Sequence, residues 1–106
     1  MTATKAPSAG GDVLRVSVRL YVAGDGPNST MALSTLQTLL AQQSASHVEV
    51  EVIDVLAHPE QGLREGVLVT PMLVKVAPPP ERRILGNLSD RAALLALLEL
   101  DRVHHD

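Results

Sequence analysis

From Arg15 to Val22 the chain alternates. Val16, Val18, Leu20 and Val22 fall on one face, and Arg15, Ser17, Arg19 and Tyr21 on the other, the two-residue period of a strand. The segment AGDGPNST that follows is rich in turn and helix-initiating residues, and a helix is expected to begin near Asn28 or Ser29. Leu33, Leu36, Leu39 and Leu40 then recur at three-to-four spacing, with Gln37, Thr38, Gln42 and Gln43 on the polar side, so one leucine stripe faces a core. A second alternation, VEVEVID, sets Val48, Val50 and Val52 against Glu49 and Glu51. Strand, helix and strand of these lengths predict a crossover joining parallel strands.

The second half changes character. Pro59 to Glu65 reads as a short helix, Met72 to Val76 as a strand stopped by Pro78, Pro79 and Pro80, and Arg82 to Leu85 as a strand antiparallel to it. Ser89 is the expected cap of a last helix, with Asp90 favourably placed at its positive end. RAALLALLELDRV holds neither Gly nor Pro, so helix is predicted over 89–103. The order βαβαββα, with Thr70-Pro71 leading into the third strand, predicts an α/β thioredoxin-like single domain. The bond before Pro71 is the candidate for a cis peptide.

The opening MTATKAPSAGG is small, polar and broken by Pro7, Gly10 and Gly11, too poor in apolar surface to offset its ordering entropy. Residues 1–12 are therefore read as a flexible tail, 13–103 as the domain and 104–106 as a short C-terminal tail. Among 106 residues only Tyr21 is aromatic, which makes the core aliphatic. The net charge of -3 and the lack of a basic cluster exclude a nucleic-acid surface. No apolar run approaches the ~20 residues of a membrane span, and no signal peptide opens the chain, so the expected location is cytoplasmic.

There is no cysteine. That removes disulfides, thiolate metal sites and the redox pair that a thioredoxin would carry after its first strand, here the Gly24 to Asn28 region. An enzyme of thioredoxin or glutathione-transferase type would need thiol chemistry that this chain lacks, or a site completed by another domain. The adjacent His104 and His105 point in different directions on a helix and do not share one ion, and His47 and His58 lie elsewhere. Asp54 with Glu49 and Glu51 does not form a catalytic pair, because alternation sends both glutamates to a solvated face. No cofactor and no catalytic residue is assigned.

Four blocks carry a family resemblance over about residues 15 to 100. They are LYVAGDGPNS from Leu20, VIDVLAHPE from Val52, LVTPMLVKVAPPPERR from Leu68 and ILGNLSDR from Ile84. In order and spacing they resemble KaiB, a protein of the bacterial circadian clock with relatives outside cyanobacteria. The resemblance implies a non-enzymatic regulator that binds the hexameric ATPase ring KaiC, and a similarity to the sensor domain of a clock-output histidine kinase that competes for that ring. It also implies fold switching, with a resting form βαββααβ that assembles as a homo-oligomer, dimer or tetramer, and a thioredoxin-like form that binds the ring.

Particular residues are singled out by that resemblance or by their own place in the pattern. Lys75, Arg82 and Arg83 match basic positions of the family pattern and are candidates for partner binding, against the plainer reading of solvated strand-edge charge. Tyr21, on the polar side of its strand, is a candidate for partner contact or for covering a sheet edge. Asn28 and Ser29 either cap their helix or meet an anionic ligand, with capping preferred. Where clock members often read Gly-Leu-Asp, this chain reads Leu97-Leu98-Glu99. A helix interior favours Leu over Gly by roughly 0.8 kcal/mol, so Leu97 and Glu99 are read as biasing the thioredoxin-like form. Glu51 stands where clock members commonly carry a basic residue, which puts capture of KaiA in doubt, and Met31 likewise replaces a basic helix position, which bears on the details of the interface. The alternative is an interaction module of a stress or sensor-kinase pathway outside the clock.

Overall fold

A computed structural model describes residues 15–100. The elements are β1 (Val16–Val22), α1 (Pro27–Gln42), β2 (Val48–Asp54), α2 (Pro59–Glu65), β3 (Met72–Ala77), β4 (Arg82–Leu85) and α3 (Arg91–Leu97). They form one sheet of order β2-β1-β3-β4. β1 and β2 run parallel, Val16 opposite Val48 through Val22 opposite Asp54. β3 pairs antiparallel with β1, with a register shift at Ser17/Val18, and β4 pairs antiparallel with β3.

The alternation of β1 serves two cores. On one face Val16, Val18, Leu20 and Val22 meet Ala32, Leu36 and Leu39 of α1, Leu73 of β3, and Leu88, Leu94, Leu97, Leu98 and Leu100 around α3. Each leucine so buried contributes about 1.5–3 kcal/mol relative to exposure. On the other face a smaller cluster joins Tyr21, Ile53, Met72 and Val74, with Val55 and Val67 packed against it. Gly62 of α2 is buried, and a Cβ there would meet Val55 Cγ1 at 3.0 Å, so the absent side chain lets α2 lie close over this face. α1 and α3 thus cover one side of the sheet and α2 the other, leaving the Ser17–Glu49 end of the second side without a helix.

Helix boundaries depart from the sequence reading in three places. α1 starts at Pro27, whose missing N–H suits a first-turn position, and the residue before it is Gly26 with no side-chain cap. Neither Asn28 nor Ser29 caps the helix: Ser29 is buried within it, and Thr30 Oγ1 instead donates to Asp25 O at 3.2 Å. At α3 the cap is Asp90, not Ser89, its carboxylate accepting from Ala93 N–H at 3.1 Å. α3 also stops at Leu97 rather than continuing to 103. Glu99 N–H donates to Ala96 O and Leu100 N–H to Leu95 O, while Glu99 takes a left-handed φ of 61°. This Schellman closure satisfies the last carbonyls and turns Leu100 into the core. Residues 101–103 and the two terminal tails lie outside the described residues, as do His104 and His105.

Candidate partner-binding face

The C-terminal ends of β1 and β2, the start of β3 and the end of β4 converge at one end of the sheet. There Gly24 holds φ +70°, and its N–H donates to Asp54 Oδ1 at 3.0 Å. Leu56 N–H donates to the same oxygen at 2.9 Å. One carboxylate therefore ties the β1–α1 loop to the β2–α2 loop. These two backbone donors, Gly24 first, hold the Asp54 carboxyl below the ordinary aspartate range. The Thr70–Pro71 bond beside this end is cis. With no cysteine anywhere in the chain, the position where a thioredoxin keeps its dithiol reads Gly24-Asp25-Gly26-Pro27-Asn28 and offers no thiol.

What surrounds this end is apolar and exposed. Leu68 is 88% exposed, and Leu56, Leu63, Val69, Leu85 and Met31 are also more than half exposed or at that level. Leu56, Leu68, Val69, Leu85 and Met31 lie in or beside the loops at this end, and exposed aliphatic side chains gathered in this way are a surface type that partners commonly cover. Periodicity did not find them, because Leu56, Leu68 and Val69 lie in loops and Leu63 in a helix too short to show a stripe. The available signal was apolar residues left over once every element had taken its face.

The four residues singled out for partner contact separate into two pairs. Tyr21 is 1% exposed and packs with Ile53, Met72 and Val74, so in this conformation its ring belongs to the second core. Tyr21 lies on the strand face that alternation assigns to solvent, but α2 covers that face. Lys75 is also 1% exposed, and its Nζ donates to Glu99 Oε2 at 2.6 Å, an internal ion pair rather than an outward charge. Its place on β3 beside Leu73 and Val74 points it towards the end of α3.

Arg82 and Arg83 are exposed on β4. Arg83 is engaged: Nη2 donates to Glu65 Oε2 and to Glu65 O, each at 2.9 Å, and Nε donates to Glu81 Oε2 at 2.8 Å. Glu65 also lies 3.9 Å from Arg19, which pairs with Glu51 at 3.1 Å. The Tyr21 phenol first, then Glu51, raise the Arg19 pKa, so its guanidinium stays charged throughout. Arg82 makes no ion pair among the described residues and is the free cation of the strand. On β2, Glu49 and Glu51 are answered by Arg15 at 2.8 Å and Arg19, so this strand presents closed charge pairs. Among the described residues no group of three or more metal-ligating side chains comes together.

A four-stranded sheet of order β2-β1-β3-β4 between α1, α3 and α2 defines a thioredoxin-like domain, here without the thioredoxin redox centre. Solved structures agree on the fold. The N-terminal domain of SasA from Synechococcus elongatus matches with a TM-score of 0.68 at 24% identity, over 98% of this chain and 100% of that one. A germline-specific thioredoxin, Deadhead from Drosophila, matches with a TM-score of 0.65 at 22% identity, over 80% and 79% of the two chains. The KaiB domain model matches residues 19–100. Curated relatives named circadian clock oscillator protein KaiB are 48% identical in Gloeothece citriformis, over 78% of each chain, and 46% identical in Microcystis aeruginosa, over 78% of this chain and 80% of that one. The chain belongs to the KaiB family of circadian clock proteins. Among the described residues no helix is long and apolar enough to cross a membrane.

Proposed function

We propose that this protein is a non-enzymatic, cytoplasmic regulator that binds a KaiC-type ATPase hexamer through its thioredoxin-like form and modulates the ring's phosphorylation cycle. The observation that carries the reading is the sheet end around Gly24 and Pro71, where the segment that would hold a redox pair has no thiol and the neighbouring loops expose Leu56, Leu68 and Val69. Arg82 supplies a free positive charge on β4, suited to an acidic patch on the partner. Leu97, 2% exposed in α3, and the Lys75–Glu99 pair both favour the thioredoxin-like arrangement before any partner arrives. Binding then proceeds by selection of a form already populated, with little loss of apparent affinity to refolding. The resting form βαββααβ, as a dimer or tetramer, is the competing state.

Titration of the protein into its cognate KaiC-type hexamer with ATP, followed by native mass spectrometry, tests this. Several copies per ring arising from free monomer are expected, and Leu68→Glu should abolish them while leaving the fold intact. A second reading, an interaction module of a stress or sensor-kinase pathway, is favoured by β2: with Glu49 and Glu51 closed by Arg15 and Arg19, that strand lacks a free basic group for KaiA, whose capture we do not expect. Absence of any complex with the ring, in any phosphorylation state, would select that module, and a co-purifying histidine kinase would identify its partner.

A further inference from the structure

Hydroperoxides oxidise thiolates first and thioethers next, and this chain contains three methionines and no cysteine. The two methionines within the described residues differ sharply. Met72 is 6% exposed in the second core, and its Sδ receives Arg83 Nη1 at 3.6 Å. Met31, near the start of α1, is 50% exposed, and its Sδ accepts an N–H from Asn87 Nδ2 at 3.3 Å. That contact joins α1 to the β4–α3 loop across 56 residues of sequence. Asn87 is held from both sides: Gly86, at φ +93°, donates its N–H to Pro71 O at 2.9 Å, and Leu88, at φ +66°, is 2% exposed in the first core.

We propose that Met31 is a peroxide-reactive modification site and that the Asn87 amide is positioned to hold the product sulfoxide. A lone pair of Met31 Sδ attacks one oxygen of a hydroperoxide. The S–O bond forms as the O–O bond breaks, and the second oxygen leaves as water, or as an alcohol from an organic peroxide, after taking up the proton. Sulfur loses two electrons and the peroxide gains them. A sulfoxide oxygen is a far stronger acceptor than a thioether sulfur, so the amide that makes a weak N–H···S contact before oxidation makes a full hydrogen bond after it. Oxidation thereby turns an apolar, half-exposed side chain into a polar one while tightening α1 to the β4–α3 loop. The site stands whatever the protein's partner is.

The test treats the full chain with hydrogen peroxide and follows each methionine by peptide mass spectrometry, with 15N-resolved NMR and thermal melts on the same samples. Met31 should be oxidised about tenfold or more faster than Met72. The Asn87 side-chain amide protons should shift downfield on oxidation, and Met31→Leu should show no such shift under the same treatment. In Asn87→Ala, oxidation should lower the melting temperature by about 4 °C or more beyond its effect on the wild type. Equal oxidation of Met31 and Met72 would remove the site. An unmoved Asn87 amide, or equal melting shifts in the two proteins, would remove Asn87 as its holder.

Discussion

Lys75 Nζ lies 2.6 Å from Glu99 Oε2, and the glutamate that makes this pair occupies the left-handed position closing α3. A Schellman closure ordinarily places glycine there, because a side chain at positive φ costs about 1–2 kcal/mol. Here a charged residue is accepted at that cost because its carboxylate neutralises a lysine buried between sheet and helix.

Removing one partner should therefore cost more than removing the buried charge. Glu99→Ala strands the Lys75 ammonium and should lower stability by about 3 kcal/mol, whereas Lys75→Met should cost less. Glu99→Gly regains backbone freedom but still loses the pair, and should fall between wild type and Glu99→Ala. Urea unfolding of the three variants checks the order. Glu99→Gly matching or exceeding wild-type stability would show that strain, not the ion pair, dominates this position.

The burial of Tyr21 sets the result of its truncation. Tyr21→Ala should lose about 3 kcal/mol, the cost of emptying the second core, and this loss should appear in the free protein without any partner. A variant as stable as wild type but impaired in binding would instead place the ring at an interface.

Charge reversals on β3 and β4 should not behave alike. Arg82→Glu should weaken ring binding with a stability change within about 0.5 kcal/mol. Arg83→Glu faces Glu65 and Glu81 and should cost about 1 kcal/mol. Lys75→Glu opposes Glu99 in the interior and should be the most damaging of the three. Thermal melts beside binding isotherms separate these effects.

Asp54 gives a pH dependence of known sign. Its folded-state pKa lies below the ordinary value near 3.8, so its ionised form stabilises the fold above that value and the contribution is lost as pH falls through the depressed one. The stability gap between wild type and Asp54→Asn should thus be full at neutral pH and shrink in acid. A carboxyl-carbon NMR titration placing Asp54 at or above the ordinary value would contradict this.

The elements were legible in the chain where period and punctuation agreed. β1, β2, α2 and β4 lie where alternation, proline and turn residues placed them, and the Leu36 and Leu39 stripe faces the core as spacing required. What was not legible depended on neighbours distant in sequence. Tyr21 and Lys75 looked like solvent-facing residues until α2 and the end of α3 were packed over them. The early stop of α3 is a tertiary effect too, since nothing local in LLALLEL breaks a helix. The exposed Leu56, Leu63, Leu68 and Val69 were hidden for the opposite reason, being apolar residues that no element buries.

β2 is one of the two outer strands of the sheet, and its Val-Glu alternation has a bearing on how the protein behaves in concentrated solution. A second molecule pairing its own β2 antiparallel to this one, centred on Val50, would set Glu49 of each chain opposite Glu51 of the other, and like charges facing across strands are repelled. The same glutamates that close the arginine pairs within the domain therefore act between domains as gatekeepers against fibrillar self-association. Replacing both with threonine would leave VTVTVI, an uncharged segment of high β-propensity on an edge strand, and would favour cross-β growth.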